Sequence, residues 1–268
     1  MLENRWVIVR GTPVFLRAGG EGATGLPIVH LHGFAISGSY MVPTAERLVD
    51  EHPTYIPDLP GFGRSPRPEH HNDIPALADF AAGLLDALEI DKAVVVGNSL
   101  GCAVLGAFGE RHPDRIERAV MVSPAGGEHS SPLPRAIGQL VRDAFLEPPS
   151  MATVAVPDYV HFGVVETFRL FVAMTRYPAL QALVHFPVPM LAVLGVRDPL
   201  LPPASRVREV AAMLPDHVDV AVLRDAAHAI NYSHPDELAA VIRTWLADAP
   251  LADLVLPEGQ SPVAVLGR

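Results

Sequence analysis

Ser99 sits in the run Gly97-Asn98-Ser99-Leu100-Gly101, with a glycine two residues to either side. The run follows the apolar stretch Ala93–Val96 and precedes Ala103, Val104, Ala107 and Phe108, whose spacing is helical. A serine held between a strand and a helix is forced into a sharp turn, and flanking glycines remove the Cβ atoms that would clash there. Such a turn exposes the hydroxyl above the sheet edge at a helix N-terminus, where the dipole favours developing negative charge. A serine hydroxyl is a weak nucleophile, so it needs a base, and the base needs an orienting acid. His228, in Ala226–Ile230, follows the last strand-like run of the core, and Asp198 follows the run Met190–Leu194. Both are expected at the carboxyl ends of parallel strands, the edge where open α/β sheets bind ligands. The chemistry this assembles is attack of Ser99 on a carbonyl.

Twelve histidines are present. His52, His70, His71, His112 and His217 fall in polar connections, His129 and His161 in a helical stretch, and His234 in a helix start. None of them follows a late core strand as His228 does. Asp225 is the rival acid, but a three-residue loop seldom lets a carboxylate reach round to the far ring nitrogen of His228. Ser123 ends the run Ala119–Val122 and closes that position to an acid. His32-Gly33-Phe34 follows the apolar run Ile28–Leu31, and Gly33 permits a tight backbone that turns an N–H inward. The N–H groups of Phe34 and Leu100 would then hold an oxyanion, with roughly 2.7–4 kcal/mol from one such donor. The His32 ring reads as a brace for that loop, and Cys102 as a small buried thiol.

Strand-like runs at Trp6–Val9, Val14–Leu16, Ile28–Leu31, Tyr55–Ile56, Ala93–Val96, Ala119–Val122, Met190–Leu194 and Val218–Leu223 must carry these residues. Helical patterns alternate with them, as in Ala76–Leu88 and in Leu238, Val241, Ile242, Trp245 and Leu246, the latter opened by Ser233-His234-Pro235-Asp236. The alternation predicts an α/β fold with a largely parallel sheet, its first two strands forming an antiparallel hairpin. From Pro124 to Phe186 no clear strand occurs, only two proline-punctuated helical patterns around Arg135–Phe145 and Val164–Thr175. The expected organisation is a core of residues 1–123 and 187–249, a helical cap of 124–186 and a loose or surface-draped tail of 250–268. Asn98 and the cap residues Phe162, Phe168, Phe171 and Met174 are candidate pocket walls, although helical spacing favours ordinary packing for any one of the cap residues. Arg135, Arg142, Arg169 and Arg176 read as solvated charges rather than a carboxylate clamp.

The 268 residues carry 20 basic and 30 acidic side chains, a net charge of −10, with 49% apolar residues. That balance excludes intrinsic disorder and a phosphate-neutralising surface, so nucleic acid is not an expected partner. One cysteine cannot form an internal disulfide or a cysteine metal cluster, and no metal or cofactor is expected. No apolar run reaches the roughly 18–20 residues of a membrane span, and no secretory signal opens the chain, so a cytoplasmic location is expected. A homo-oligomer stays open. The 27 prolines are about twice the usual share. Pro57, Pro60, Pro124, Pro199, Pro202 and Pro203 follow core strands, while Pro132, Pro134, Pro148, Pro149, Pro157, Pro178 and Pro187 fall in or bound the cap. They predict a stiff collar around Ser99.

LHGF at 31–34, DLPGFGRS at 58–65, GNSLG at 97–101, GVRD at 195–198 and AAHA at 226–229 together resemble the α/β-hydrolase superfamily, over about residues 5–248. The resemblance implies an eight-stranded sheet with one antiparallel strand, a lid over the nucleophile, and a Ser99-Asp198-His228 triad, with Asp58 a turn residue. Haloalkane dehalogenases and epoxide hydrolases have an aspartate nucleophile where this chain has Ser99. Asn98 and the SPAGG run at Ser123–Gly127 resemble the carbon–carbon hydrolases that split meta-ring-cleavage products. Those enzymes usually carry a GPG turn where this chain reads Phe34–Ser39. The expectation is a cofactor-independent serine hydrolase that takes a small, mainly apolar carboxylic ester through an acyl-enzyme. Carbon–carbon hydrolysis is the second reading and a non-turnover ligand-binding protein the third; perhydrolase chemistry would use the same triad.

Overall fold

The computed structural model describes residues 1–68, 73–125, 133–162, 164–177, 179–257, 260 and 263–266, without the side chains of 159–162, 164–167, 179–181, 204 and 266. His70, His71, His129, Gly126, Gly127, Pro132 and Pro178 lie outside the described residues. The strands are β1 (Glu3–Val9), β2 (Thr12–Gly19), β3 (Ile28–Leu31), β4 (Thr54–Pro57), β5 (Ala93–Asn98), β6 (Ile116–Val122), β7 (Met190–Gly195), β8 (Val218–Leu223) and β9 (Val263–Leu266). They form one sheet in the order β1-β2-β4-β3-β5-β6-β7-β8-β9. From β4 to β8 the neighbours run parallel, while β2 runs against β1 and β4, and β9 against β8. Every residue of β3, β5 and β7 is buried, so these strands read as unbroken apolar runs instead of alternating.

Two expectations are corrected. The sheet has nine strands of which two, β2 and β9, run antiparallel to the rest, not eight with one, because residues 263–266 pair with β8. The segment 250–268 is therefore not uniformly a loose tail. No local pattern around residues 263–266 marks a strand; the unpaired edge of β8, a tertiary feature, supplies the incentive to pair.

The helices are α1 (Val42–Glu46), α2 (Ile74–Ala87), α3 (Leu100–Arg111), α4 (Leu133–Ala144), α5 (Ala152–Phe162), α6 (Val164–Arg176), α7 (Ala179–Val184), α8 (Ala204–Ala211), α9 (Ile230–Ser233) and α10 (Pro235–Leu246). One face of the sheet packs on α2 and α3 through Leu77, Leu84, Val104 and Phe108, and the other on α1 and α10 through Ala45, Leu238, Ile242 and Trp245. The capping pattern read at Ser233 is also corrected: Ser233 ends α9 and its hydroxyl donates to the Ala229 carbonyl at 3.0 Å, while His234 precedes α10. Proline stands in the first turn of α1, α2 and α10, so part of the proline excess opens helices.

Between β6 and β7 lie α4, α5, α6 and α7, of which only α4 and α6 show the expected periodicity. Pro157 inside α5 disguises that helix in the sequence. No helix among the described residues is long and apolar enough to cross a membrane.

Ser99 joins β5 to α3 at φ 54° and ψ −111°, a conformation rare for a residue with a side chain. A Cβ on Gly101 would stand 2.0 Å from the Leu31 carbonyl oxygen, and one on Gly97 2.4 Å from that of Gly101. The flanking glycines are thus a packing requirement of β3 against the turn. Gly101→Ala is expected to lower stability by about 3 kcal/mol or more, or to prevent folding. Gly138→Ala, in α4 with open space around it, should gain up to about 1 kcal/mol. Urea unfolding of both variants checks the contrast.

Candidate active site

Asp198, in the loop after β7, accepts a hydrogen bond from His228 Nδ1 on Oδ2 at 2.7 Å and one from the Leu200 N–H on Oδ1 at 2.8 Å. Both residues are buried, and Asp225 is exposed. The carboxylate fixes the ring with Nδ1 protonated, so that in the neutral imidazole Nε2 is the acceptor. Ser99 and His228 line one cavity of about 380 Å³ together with Gly33, Phe34, Tyr40 and Asn98. Leu100 is the first residue of α3, where backbone N–H groups have no intrahelical partner.

The loop after β3 is held by more than glycine. Gly33 donates its N–H to the Tyr40 hydroxyl at 2.9 Å, and Tyr40 donates to Asn98 Oδ1 at 2.5 Å. Asn98 Nδ2 donates to the carbonyls of Val122 and His228 at 3.2 and 3.3 Å. One chain of bonds therefore ties the Gly33 loop, the Ser99 strand and the His228 loop. Gly33 is needed for closeness, its Cβ position lying 2.9 Å from the Tyr40 hydroxyl, whereas the left-handed residue of the loop is Ala35 at φ 55°.

His32 accepts the Leu59 N–H on Nε2 at 2.9 Å, and its Nδ1 donates to the Gly33 carbonyl at 2.9 Å. Burial holds its pKa below the ordinary value, so the ring braces the loop as a neutral group. Asp58, wholly buried, accepts from Arg17 at 2.6 Å, from the Gly38 N–H at 2.8 Å and from the Arg64 N–H at 2.9 Å. Cys102 is buried, its thiol donates to the Gly97 carbonyl at 3.1 Å, and burial pushes its pKa up.

The pocket candidates divide. Met174 lines the cavity. Asn98 also lines it, but its amide is committed to Tyr40 and the two carbonyls. Phe171 is not a wall; it stands behind Phe34, ring centroids 5.4 Å apart. Phe168 is corrected outright, being 57% exposed on the far side of α6 from the core. The Phe162 side chain lies outside the described residues. Arg135, Arg142, Arg169 and Arg176 are exposed and none lines the cavity. Of the prolines expected to form a collar, Pro148 and Pro149 line the cavity, whereas Pro57, Pro60, Pro124, Pro134, Pro157, Pro187, Pro199, Pro202 and Pro203 do not.

Three acidic residues between β6 and β7 escaped the sequence reading. Asp158 on α5 accepts the Ser37 N–H at 2.7 Å, and Glu147, just past α4, accepts the Ala229 N–H at 2.6 Å. The backbone N–H of His228 faces both Asp143 on α4 and Glu147 and favours the charged form of each. Both Asp143 and Glu147 line the cavity. Burial raises the pKa of Asp143 to about 7 and that of Glu147 above its ordinary value. For His228, burial works downward but is outweighed by Asp198 and then by Asp143 and Glu147, which lift its pKa to about 9. An acid spaced four residues from another on a helical pattern, directly before Pro148-Pro149, was the only signal in the sequence.

A model of the alpha/beta hydrolase family matches residues 28–241, and the chain belongs to that family. Among curated relatives, 2-hydroxymuconate semialdehyde hydrolase of Pseudomonas sp. (strain CF600) is 36% identical over 115 residues, 40% of this chain and 39% of the relative. The matches span well under two thirds of the length of these curated relatives. A thermophilic esterase from Thermogutta terrifontis superposes with a TM-score of 0.69 at 23% identity, over 92% of this chain and 98% of the esterase. A bacterial membrane phospholipase A gives 0.78 at 20% identity, over 92% and 86%. At these identities the solved structures speak for the fold.

Two measurements follow from the buried charges. An NMR titration should place the His228 imidazole near pH 9 and move it downward in Asp143→Asn with Glu147→Gln, since two anions are then removed. Asp143 has a folded pKa above its unfolded value, so its ionisation weakens the fold progressively as pH rises from about 4 through 7. Asp143→Asn should therefore raise the melting temperature at pH 8 and leave it unchanged below pH 3.5; an equal effect at both pH values would contradict the assignment.

Proposed function

We propose that the protein is a serine hydrolase acting on a small carboxylic ester, with Ser99 as nucleophile, His228 as base and Asp198 as the orienting acid. The observation that carries the reading is the 2.7 Å bond between His228 and Asp198 beside a cavity that also holds Ser99 on its strained turn. Ser99 Oγ attacks the carbonyl carbon as its proton passes to His228 Nε2, and Asp198 stabilises the imidazolium. The N–H groups of Phe34 and Leu100 receive the oxyanion. Collapse of the tetrahedral species expels the alcohol with the proton from His228 and leaves an acyl-Ser99 ester. His228 then takes a proton from water as its oxygen adds to the acyl carbon, and collapse breaks the bond to Ser99 Oγ, which regains the proton from His228 as the acid leaves. The helices of residues 124–186 act as the lid of this site.

Carbon–carbon hydrolysis of a ring-cleavage dienoate has support from the named Pseudomonas relative. Against it stands the cavity wall: its described residues include Asp143 and Glu147, and the sole group there able to carry positive charge is His228. A dienoate brings its own carboxylate into that field, which favours the neutral ester.

Wild-type protein should hydrolyse short p-nitrophenyl esters, lose at least about 10³-fold in kcat with Ser99→Ala, and take a fluorophosphonate adduct on Ser99. Asp198→Asn should lower kcat by about 10³–10⁴-fold with little change in KM. Activity retained by Ser99→Ala overturns the assignment. Faster turnover of a ring-cleavage dienoate than of every ester would favour the carbon–carbon reading.

A further inference from the structure

The loop after β3 carries Phe34, the proposed donor of one oxyanion N–H. Two of the loop's ties come from the core: the Gly33 N–H donates to the Tyr40 hydroxyl at 2.9 Å, and the Gly38 N–H to Asp58 Oδ1 at 2.8 Å. A third comes from the lid. Asp158, on α5, accepts the Ser37 N–H on Oδ2 at 2.7 Å, across 121 residues of sequence. A lid ring meets the same loop, since Phe171 on α6 stands 5.4 Å from Phe34, centroid to centroid.

Ser37 is where a tie to this loop has most leverage. It is the N-cap of the short 3-10 helix Gly38–Met41, which carries Tyr40, and its Oγ lies 2.6 Å from Ser39 Oγ. Between Ser37 and Phe34, the buried Ala35 is held at φ 55°. A residue with a side chain is strained there, and it keeps that conformation only where the surroundings over-determine it. Release of Ser37 lets the Ala35 turn relax, and Phe34, its neighbour, shifts with it. A donor N–H stabilises an oxyanion through direction as well as distance, so a small tilt is costly.

We propose that Asp158 is a positioning residue for the oxyanion loop, so that the Ser99 site is complete only while α5 is seated on the core. This deepens the hydrolase reading and rests on it. Asp158 is not among the described residues that line the Ser99 cavity, so it acts through Ser37 and not on substrate. The lid thereby does more than wall the pocket: displacement of α5 disarms the oxyanion loop.

Asp158→Asn and Asp158→Leu remove the same charge at similar volume, but only asparagine keeps an oxygen that accepts the Ser37 N–H. On a short p-nitrophenyl ester, the leucine variant should lose at least about 10-fold in kcat with KM within about threefold of wild type. The asparagine variant should stay within about threefold in both. Inhibition by 1,1,1-trifluoroheptan-2-one and by heptan-2-one separates positioning from a general structural role. Ser99 Oγ adds to the trifluoroketone carbonyl as its proton passes to His228, and the negative hemiketal oxygen needs the same two N–H groups. The ratio of the two inhibition constants should shrink by at least about 10-fold in the leucine variant and by about threefold or less in the asparagine variant. Because a ratio is read, a loosened cavity does not imitate the result. An unchanged ratio in the leucine variant, or an equal loss in both variants, overturns the proposal. A measurement on the wild-type protein needs no variant to fold: the Ser37 N–H, followed by NMR, should exchange at least about 100-fold more slowly than an unstructured amide. Exchange at the unstructured rate overturns the tie. Wild-type protein that neither turns over the ester nor prefers the trifluoroketone would sink the hydrolase reading, and the Ser37 exchange would still decide whether Asp158 holds the loop.

Discussion

An imidazole on a loop turns freely about two side-chain bonds, and the 2.7 Å bond from His228 Nδ1 to Asp198 removes that freedom. The bond also decides which ring nitrogen faces the cavity. Its geometry needs two loops, one after β7 and one after β8, to stay in register, and much of the neighbouring structure serves that end. Leu200 fixes the second oxygen of Asp198, and Asn98 reaches the His228 carbonyl from the neighbouring strand. Glu147 and Asp143 hold the same loop from the α4 side. A change in the placement of α4 therefore alters the setting of the His228 imidazole as well as the pocket wall.

Four buried carboxyl groups in this region illustrate different solutions to one electrostatic problem. Asp58 is matched by a guanidinium and two N–H groups. Asp198 is matched by His228 and a backbone donor. Asp143 and Glu147 are half-matched, and burial acts against their charge. A fold optimised for stability alone would replace them with apolar or amide side chains, since a buried charge with an incomplete shell opposes folding.

The elbow at Ser99 and the strand ends carrying Asp198 and His228 were legible because each rule involved is local: glycine flanks, an apolar run, a turn. The other eight strands were legible for the same reason. The brace role of His32 and the buried thiol of Cys102 also follow from position alone. What escaped depends on contacts between segments distant in sequence. Tyr40 gains its role from Asn98, 58 residues away, and Glu147 from Ala229, 82 residues away. Phe168 and Phe171 share a helix and a periodic pattern, yet one is exposed and the other supports Phe34, because the phase of a helix relative to a neighbouring loop is a tertiary fact.

The ninth strand has a consequence for the molecule's behaviour at high concentration. A sheet ending at β8 would offer six residues of unpaired, mostly buried-type backbone, Val218–Leu223, as a template for another chain. Residues 263–266 occupy that template and substitute a rim only four residues long. At the opposite margin β1 begins Glu3-Asn4-Arg5, all exposed, with charges that disfavour stacking of a second sheet. Both margins of the sheet are thereby poor starting points for strand-to-strand aggregation.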